Sequence, residues 1–147
     1  MKCKLINLIG SLFILTGCTA TTPEREVQLP SQSLIQPLNN DKQAKLIVFN
    51  DSNKLMYGLD NSGKINIHLN GKGVGQLKIG EYVILSVEKG NNTIDLLHKD
   101  IVNFSSSHQI IVSESPTHLK IYAKVTSNGA EIVQKPNSFE SKFKSAY

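Results

Sequence analysis

The sequence predicts an all-β fold, a small antiparallel β-sandwich of about seven or eight strands, the size of an immunoglobulin-like domain. Two observations predict it. Between Ala44 and Gln134 short apolar runs alternate with turn-forming residues, at a spacing of about ten residues that is typical of sandwiches. No helical period persists between these runs, so strands are favoured over helices.

Four features define the first half of this region. Lys45–Asn50 is apolar on both faces, which predicts a central strand. Lys64–Leu69 alternates apolar and polar side chains, as a strand with one buried face does. Asn70-Gly71 follows it directly and is the strongest short-range signal for a hairpin turn. Glu81–Val87 is apolar on successive residues, which predicts a strand buried on both faces.

The second half reads in the same way. A turn is expected at Lys89–Asn92, and strands are expected at Thr93–Lys99, Gln109–Ser113 and His118–Val125. The residues to which we assign a structural role in turns are Asn70, Gly71, Gly73, Gly75, Gly80 and Gly90. Their chemistry suits turns because Asn tolerates and Gly readily adopts positive φ angles.

The N-terminus has the features of an export signal. Lys2 and Lys4 precede a mostly apolar stretch, Leu5–Leu15, which is shorter than the roughly 20 residues that span a bilayer. The next residues, Leu15-Thr16-Gly17-Cys18, resemble the lipobox of bacterial lipoproteins, in which small side chains precede a cysteine that carries the lipid. We therefore expect a signal peptide over residues 1–17 and lipidation of Cys18.

Cleavage before Cys18 has consequences for the mature chain. Cys3 leaves with the signal peptide and Cys18 is acylated, so no free thiol or disulfide is expected. Removing Lys2 and Lys4 reduces the 16 basic side chains to 14, against 12 acidic ones, a formal charge of +2. So small a charge on an exported protein does not indicate a nucleic-acid partner. Thr19 stands where other such lipoproteins carry Asp for inner-membrane retention, so we expect the outer membrane, facing the periplasm.

The mature chain divides into three parts. Residues 18–43 contain three prolines among Ser, Thr and Gln, which predicts a flexible linker, although Val27, Leu29, Leu34 and Ile35 are an alternative docking or strand-forming set. Residues 44–134 form the predicted sandwich. Residues 135–147 are a tail in which Phe139, Phe143 and Tyr147 recur every fourth residue, which predicts a short helix with one aromatic face and a cap from Asn137 or Ser138.

The hairpin region resembles a known family. The segment Ile65-x-Ile67-x-Leu69-Asn70-Gly71-Lys72-Gly73-Val74-Gly75-x-Leu77, then Gly80-x-Tyr82 and Val87-x-x-Gly90, is similar to an uncharacterised lipoprotein domain family of Gram-negative bacteria and to the PEGA superfamily. Three positions depart from that pattern: Asn70 replaces Asp, Lys89 replaces Pro, and Asn92-Thr93 replaces a His. The resemblance implies an exported β-sandwich lipoprotein and provides no catalytic residues.

No motif in the chain indicates catalysis, a metal site or a cofactor. The glycines at 71, 73 and 75 precede a strand rather than the helix that a phosphate loop needs. The four histidines, at 68, 98, 108 and 118, lack a spacing typical of metal ligands. Asp95 and Asp100 are interpreted as solvated residues at hairpin ends.

We therefore expect a non-enzymatic envelope module, a structural or accessory lipoprotein that is anchored in the membrane by its lipid and binds a protein, peptidoglycan or a glycan. The alternative is a lipoprotein that binds a small ligand, a glycan or an inhibitor target through sandwich loops such as Asp51–Gly63.

Overall fold

The computed structural model describes residues 41–57, 63–99, 103–113 and 115–147. The predicted signal peptide and lipobox, Cys18 and nearly all of the predicted linker lie outside these residues. The strands in order are β1 (Gln43–Asn50), β2 (Lys64–Leu69), β3 (Lys72–Lys78), β4 (Glu81–Glu88), β5 (Gly90–Lys99), β6 (Asn103–Val112), β7 (Thr117–Ala123), β8 (Asn128–Val133) and β9 (Lys144–Ser145). One helical turn, α1 (Phe139–Lys142), precedes β9. No helix in the described part of the chain is long and apolar enough to cross a membrane.

The strands form two sheets, and the predicted all-β sandwich is confirmed. The front sheet has the order β8-β7-β1-β4-β9, and the back sheet has the order β3-β2-β5-β6. Most pairs are antiparallel as expected, but β1 pairs with β7 and β4 pairs with β9 in parallel. Parallel partners need connections that leave the sheet and return, which a local sequence pattern does not indicate.

The main core lies between the sheets. It consists of the inward-facing side chains of both, with Leu46, Val48, Ile65, Ile67 and Leu119 among the fully buried ones. The alternation in β2 explains this burial, because its three apolar side chains all point to one face. β1 lies in the middle of the front sheet, as its two apolar faces predicted.

The β2–β3 hairpin has the geometry that Asn70-Gly71 favours. Asn70 has a φ of 51° and Gly71 a φ of 73°, the positive values that a tight hairpin turn requires. The pairing shifts near Gly75, whose φ is 108°, because Ile67 pairs with Gly75 and His68 with Gly73. The extra residue on β3 makes a β-bulge, which increases the local twist.

The connection from β4 to β5 differs from the prediction. Residues 89–92 were expected to form a turn, but β4 ends at Glu88 and β5 begins at Gly90, so the chain passes from the front to the back sheet at one corner. Gly90 has a φ of 112° there. Asn92 is buried and braces this corner: its amide donates to the Glu88 and Gly90 carbonyls at 3.0 and 3.1 Å.

Asn70 connects the hairpin to this corner. Its amide donates to Oδ1 of Asn92 at 2.7 Å, and its own Oδ1 accepts the backbone N–H of Thr93 at 2.8 Å. An aspartate could accept the second bond but could not donate the first. Two of the three positions that depart from the pattern of the similar family, Asn70 and Asn92-Thr93, therefore contact one another.

We predict that Gly71→Val lowers the free energy of unfolding by about 1–3 kcal/mol, the usual cost of forcing an unsuitable residue into a strained conformation. The cost should come from the positive φ, because no heavy atom outside Gly71 and its two chain neighbours lies within 4 Å of a Cβ built there. Thermal unfolding measures the effect. Lys72→Ala, at an exposed neighbour, is the control, and equal losses from the two substitutions would contradict the strained turn.

Candidate functional site

A groove lies on the outer face of the front sheet. Its floor includes Ile47 of β1 and Ile84 of β4, which are direct neighbours in the sheet. The volume is about 300 Å³, at the lower end of the range for ligand pockets. The residues that line it are Ile47, Tyr82, Ile84, Pro116, His118, Lys135, Phe139, Glu140 and Phe143.

One wall of the groove is the segment after β8, which we call the C-terminal strap (residues 134–146). It packs on the outer face of the front sheet through Phe139 and Phe143. Their ring centroids lie 5.4 and 4.8 Å from that of Phe49, in edge-on arrangements. The three rings form a second apolar cluster, separate from the main core. Burying a phenylalanine contributes about 1.5–3 kcal/mol, so these contacts hold the strap in place.

The strap is less helical than the sequence predicted. The short helix is present, but it has one turn, and Ser138 at its start has a φ of 60° and makes no side-chain capping bond. The prediction of one aromatic face is correct for Phe139 and Phe143, which are buried on the protein's own sandwich. It is wrong for Tyr147, because the chain is extended beyond Phe143 and Tyr147 is 48% exposed.

The rim of the groove carries three titratable side chains. Lys135 and Glu140 form an ion pair, and the hydrogen bond from Lys135 is the main reason why the pKa of Glu140 is lowered. Burial lowers the pKa of His118, and Lys135 lowers it further, while Glu140 acts in the opposite direction. The neutral form of His118 is therefore favoured, and Lys135 and Glu140 compensate each other's charge beside an apolar floor.

The groove opens onto an incompletely covered strand edge. β9 pairs with Glu81 and Tyr82 only, and no described strand pairs with the rest of β4 on that side. Ile84, two residues further along, is 47% exposed. The prediction that this run is buried on both faces is therefore wrong. The apolar run in β4 is still informative, because apolar side chains on the outer faces of both β1 and β4 suggest that something covers them. The strap covers only part of these two faces.

The turn residues singled out in the sequence do not form a site. Gly71, Gly73 and Gly75 lie in the β2–β3 hairpin of the back sheet, and Gly90 lies at the corner between the sheets. Gly80 adjoins the C-terminal strap, because its carbonyl accepts the N–H of Lys144 in β9 at 3.0 Å.

A second group of chemically capable residues crosses the outer face of the back sheet. Asp95 lies within β5, not at a hairpin end as predicted, and pairs with His68 on one side and Ser107 on the other. This order places the carboxylate between the hydroxyl and the imidazole, whereas a hydrolase triad needs the imidazole in the middle. Among the described residues no three metal-ligating side chains come together.

The polar side chains at the start of the Asp51–Gly63 loop form hydrogen bonds within the protein. Asn50, Ser52 and Tyr57 are buried and hydrogen-bond to one another and to backbone groups. Residues 58–62 lie outside the described part of the chain. The described half of this loop therefore presents structural bonds rather than groups directed at a ligand.

His98 and Asn128 form another buried polar pair. Nδ1 of His98 lies 2.6 Å from Oδ1 of Asn128, whose amide donates to the Leu96 and Phe104 carbonyls. Oδ1 of Asn128 is thus the acceptor, and His98 must carry its proton on Nδ1. Its Nε2 is buried and has no hydrogen-bond partner. The imidazole ring of His98 packs between the rings of Tyr57 and Phe104, so its role in the core is structural.

Comparison of the chain with protein-family models, curated proteins and solved structures found no match.

Proposed function

We propose that this protein is a lipid-anchored lipoprotein of the outer membrane, facing the periplasm, and that its sandwich is a non-enzymatic module that binds another envelope protein. The lipobox around Cys18 supports the anchor, and the similarity of the hairpin region to PEGA-like lipoprotein domains supports the class. The groove beside β4 supports the binding role.

The groove is the observation that carries this proposal. It combines an apolar floor, a wall fixed by aromatic packing and an adjoining strand edge. Protein interfaces have such apolar centres within polar rims. Its two charged rim residues pair with each other, so their charges are compensated and the groove favours apolar contact over acid–base chemistry.

Site-specific photo-crosslinking in living cells tests the binding role. A photoreactive amino acid at Ile84 should give a discrete cross-linked protein product, because Ile84 forms part of the groove floor. Ile132 is the matched control: it is the same residue type, it is 46% exposed, and it lies in β8 at the opposite edge of the same sheet. No product at Ile84, or the same product at both positions, would contradict a binding role for the groove.

A further inference from the structure

We propose that β6, the outer strand of the back sheet, pairs with β6 of a second copy of this chain. The two strands run antiparallel about a two-fold axis at Ser107, so the two four-stranded back sheets become continuous. The groove lies on the front sheet and takes no part in this contact. The inference therefore goes beyond the proposed function, and either can hold without the other.

β6 is a long strand with one unpaired side. All of its residues, from Asn103 to Val112, pair with β5 without a shift in register, and no described strand pairs with its other side. The carbonyl of Thr93 in β5 accepts the N–H of Asn70 at 2.8 Å, toward β2. Directly opposed residues of antiparallel strands point their backbone groups both toward or both away from each other. The backbone groups of Gln109, which lies opposite Thr93, therefore point outward, as do those of every second residue of β6.

The other sheet edges carry features that oppose strand pairing, and β6 carries none of them. β3 has the exposed Lys72 and Lys78 and the bulge, β8 has the exposed Glu131, and β9 has only two residues. Charged side chains, bulges and short strands are the means by which proteins keep sheet edges from pairing. The ten residues of β6 include no Asp, Glu, Lys, Arg or Pro, and its one ionisable side chain is His108. This edge is therefore open to another strand.

A second copy of β6 is a partner that fits the edge along its length. Pairing about Ser107 sets Ser105 opposite Gln109 of the second copy, and Asn103 opposite Ile111. In each of these pairs the backbone groups of both residues point toward the partner strand, which gives about ten hydrogen bonds between the copies. The match arises because the strand is uncharged and its outward-pointing residues are arranged symmetrically about Ser107.

The inner side chains of β6 fit the same register. Phe104, Ser106 and His108 point between the sheets but are only half-buried, so the sandwich is not fully closed beside this strand. In the paired strands Phe104 lies opposite Ile110 of the second copy, and aromatic–aliphatic pairs of this kind stabilise neighbouring strands. Ser106 lies opposite His108 of the second copy, so polar side chains also meet polar ones.

Charges near the edge do not oppose this pairing. The nearest described carboxylate is that of Asp95, which lies opposite Ser107 on β5. The Asp95 residues of the two copies are then three strand spacings apart, about 14 Å at about 4.8 Å each. That separation exceeds the Debye length of about 8 Å at physiological ionic strength. The charged residues nearest in sequence, Lys99, Asp100 and Glu114, all lie outside the strand.

Sedimentation of the mature chain carrying Cys18→Ser tests the inference, because this chain has no thiol that could link two copies. We expect a reversible dimer with a Kd below about 100 μM. We expect no larger species, because the contact uses the same edge of both copies. Ser107→Pro removes an N–H that points away from β5, so the fold should persist in thermal unfolding while the Kd rises at least about tenfold. Ser107→Ala keeps this N–H and should associate like the unsubstituted chain.

Two double variants test the register. Ser105 and Gln109 are exposed, and β5 places the uncharged Leu97 and Thr93 beside them. In a chain with Ser105→Lys and Gln109→Glu, each lysine should face a glutamate of the second copy, and the dimer should remain. In a chain with Ser105→Lys and Gln109→Lys, lysines should face each other and the Kd should rise at least about tenfold, since like charges directly opposite are destabilising.

The inference is overturned if the protein stays monomeric up to about 1 mM, if Ser107→Pro leaves the dimer unchanged, or if the two double variants associate equally. It is also overturned if a photoreactive amino acid at Ser107 captures a different protein in cells while the chain itself is a monomer. If only a chain without residues 19–40 forms the dimer, its own N-terminal segment occupies the edge, which overturns the inference as well. A cross-link from Ile84 to another envelope protein, without any dimer, would leave the proposed function standing and remove only this inference.

Discussion

Asn50→Ala should lower the free energy of unfolding by about 3 kcal/mol, since each buried polar group left without a partner costs about 1–3 kcal/mol. The amide of Asn50 donates to the carbonyl of Leu77 at 2.9 Å and to that of Gly63 at 3.3 Å. Its Oδ1 accepts the backbone N–H of Ser52 at 3.1 Å and the Ser52 hydroxyl at 2.5 Å. Alanine would leave these groups unpaired in the core.

The melting temperature should fall by more than about 12 °C for a domain of this size, which thermal unfolding followed by circular dichroism measures. Asn50→Asp is a sharper variant, because it has the same shape but loses the donor and places a carboxylate against two carbonyl oxygens. We expect it to destabilise the fold about as much as alanine does. Asn91→Ala, at an exposed asparagine, is the control. A loss below about 1 kcal/mol for both Asn50 variants would contradict the buried network.

The parts of the fold that follow local rules could be predicted from the sequence. The alternation of Ile65, Ile67 and Leu69 indicates which face of β2 is buried, because successive side chains point to opposite sides of a sheet. Asn70-Gly71 indicates where the chain reverses, because few residue pairs tolerate positive φ at both positions. Neither inference needs knowledge of distant residues.

The remaining features depend on contacts between distant parts of the chain. Asn50 ends the predicted strand Lys45–Asn50, and no local pattern indicates its hydrogen bonds, because its partners Gly63 and Leu77 lie 13 and 27 positions away. The passage from the front to the back sheet at Gly90 looks, in the sequence, like a hairpin turn. In both cases the spatial arrangement could not be derived from the local residue chemistry.

The groove also combines features that the sequence indicates with an arrangement that it does not. The spacing of Phe139 and Phe143 indicated an apolar face that needs a partner, and the outer faces of β1 and β4 indicated the same need. These surfaces cover one another only in part, and Ile84 is left at the open end of the groove, because of where the strap crosses the sheet. Its path depends on the parallel pairing of β9 with β4 at Glu81 and Tyr82, which no sequence pattern predicts.

Cys18→Ser should abolish incorporation of labelled fatty acid and leave an unprocessed precursor that retains residues 1–17. The reason is chemical: the thiol of Cys18 is the group that would carry the lipid, and a serine hydroxyl does not replace it. Acyl chains contribute about 0.8 kcal/mol per buried CH₂, and stable anchoring takes more than one chain. The unsubstituted protein should therefore stay with membranes in high salt, and its mature form should be found in the outer-membrane fraction of a sucrose gradient.

Cys3→Ser is the matched control, because it changes the only other cysteine of the sequence and lies within the segment expected to be removed. Lipidation and processing should be unchanged in this variant. Thr19→Asp should redirect the lipidated protein to the inner membrane, because aspartate at this position resembles the retention signal of other lipoproteins. Normal maturation of Cys18→Ser, or loss of labelling in Cys3→Ser, would contradict the assignment of Cys18 as the anchor.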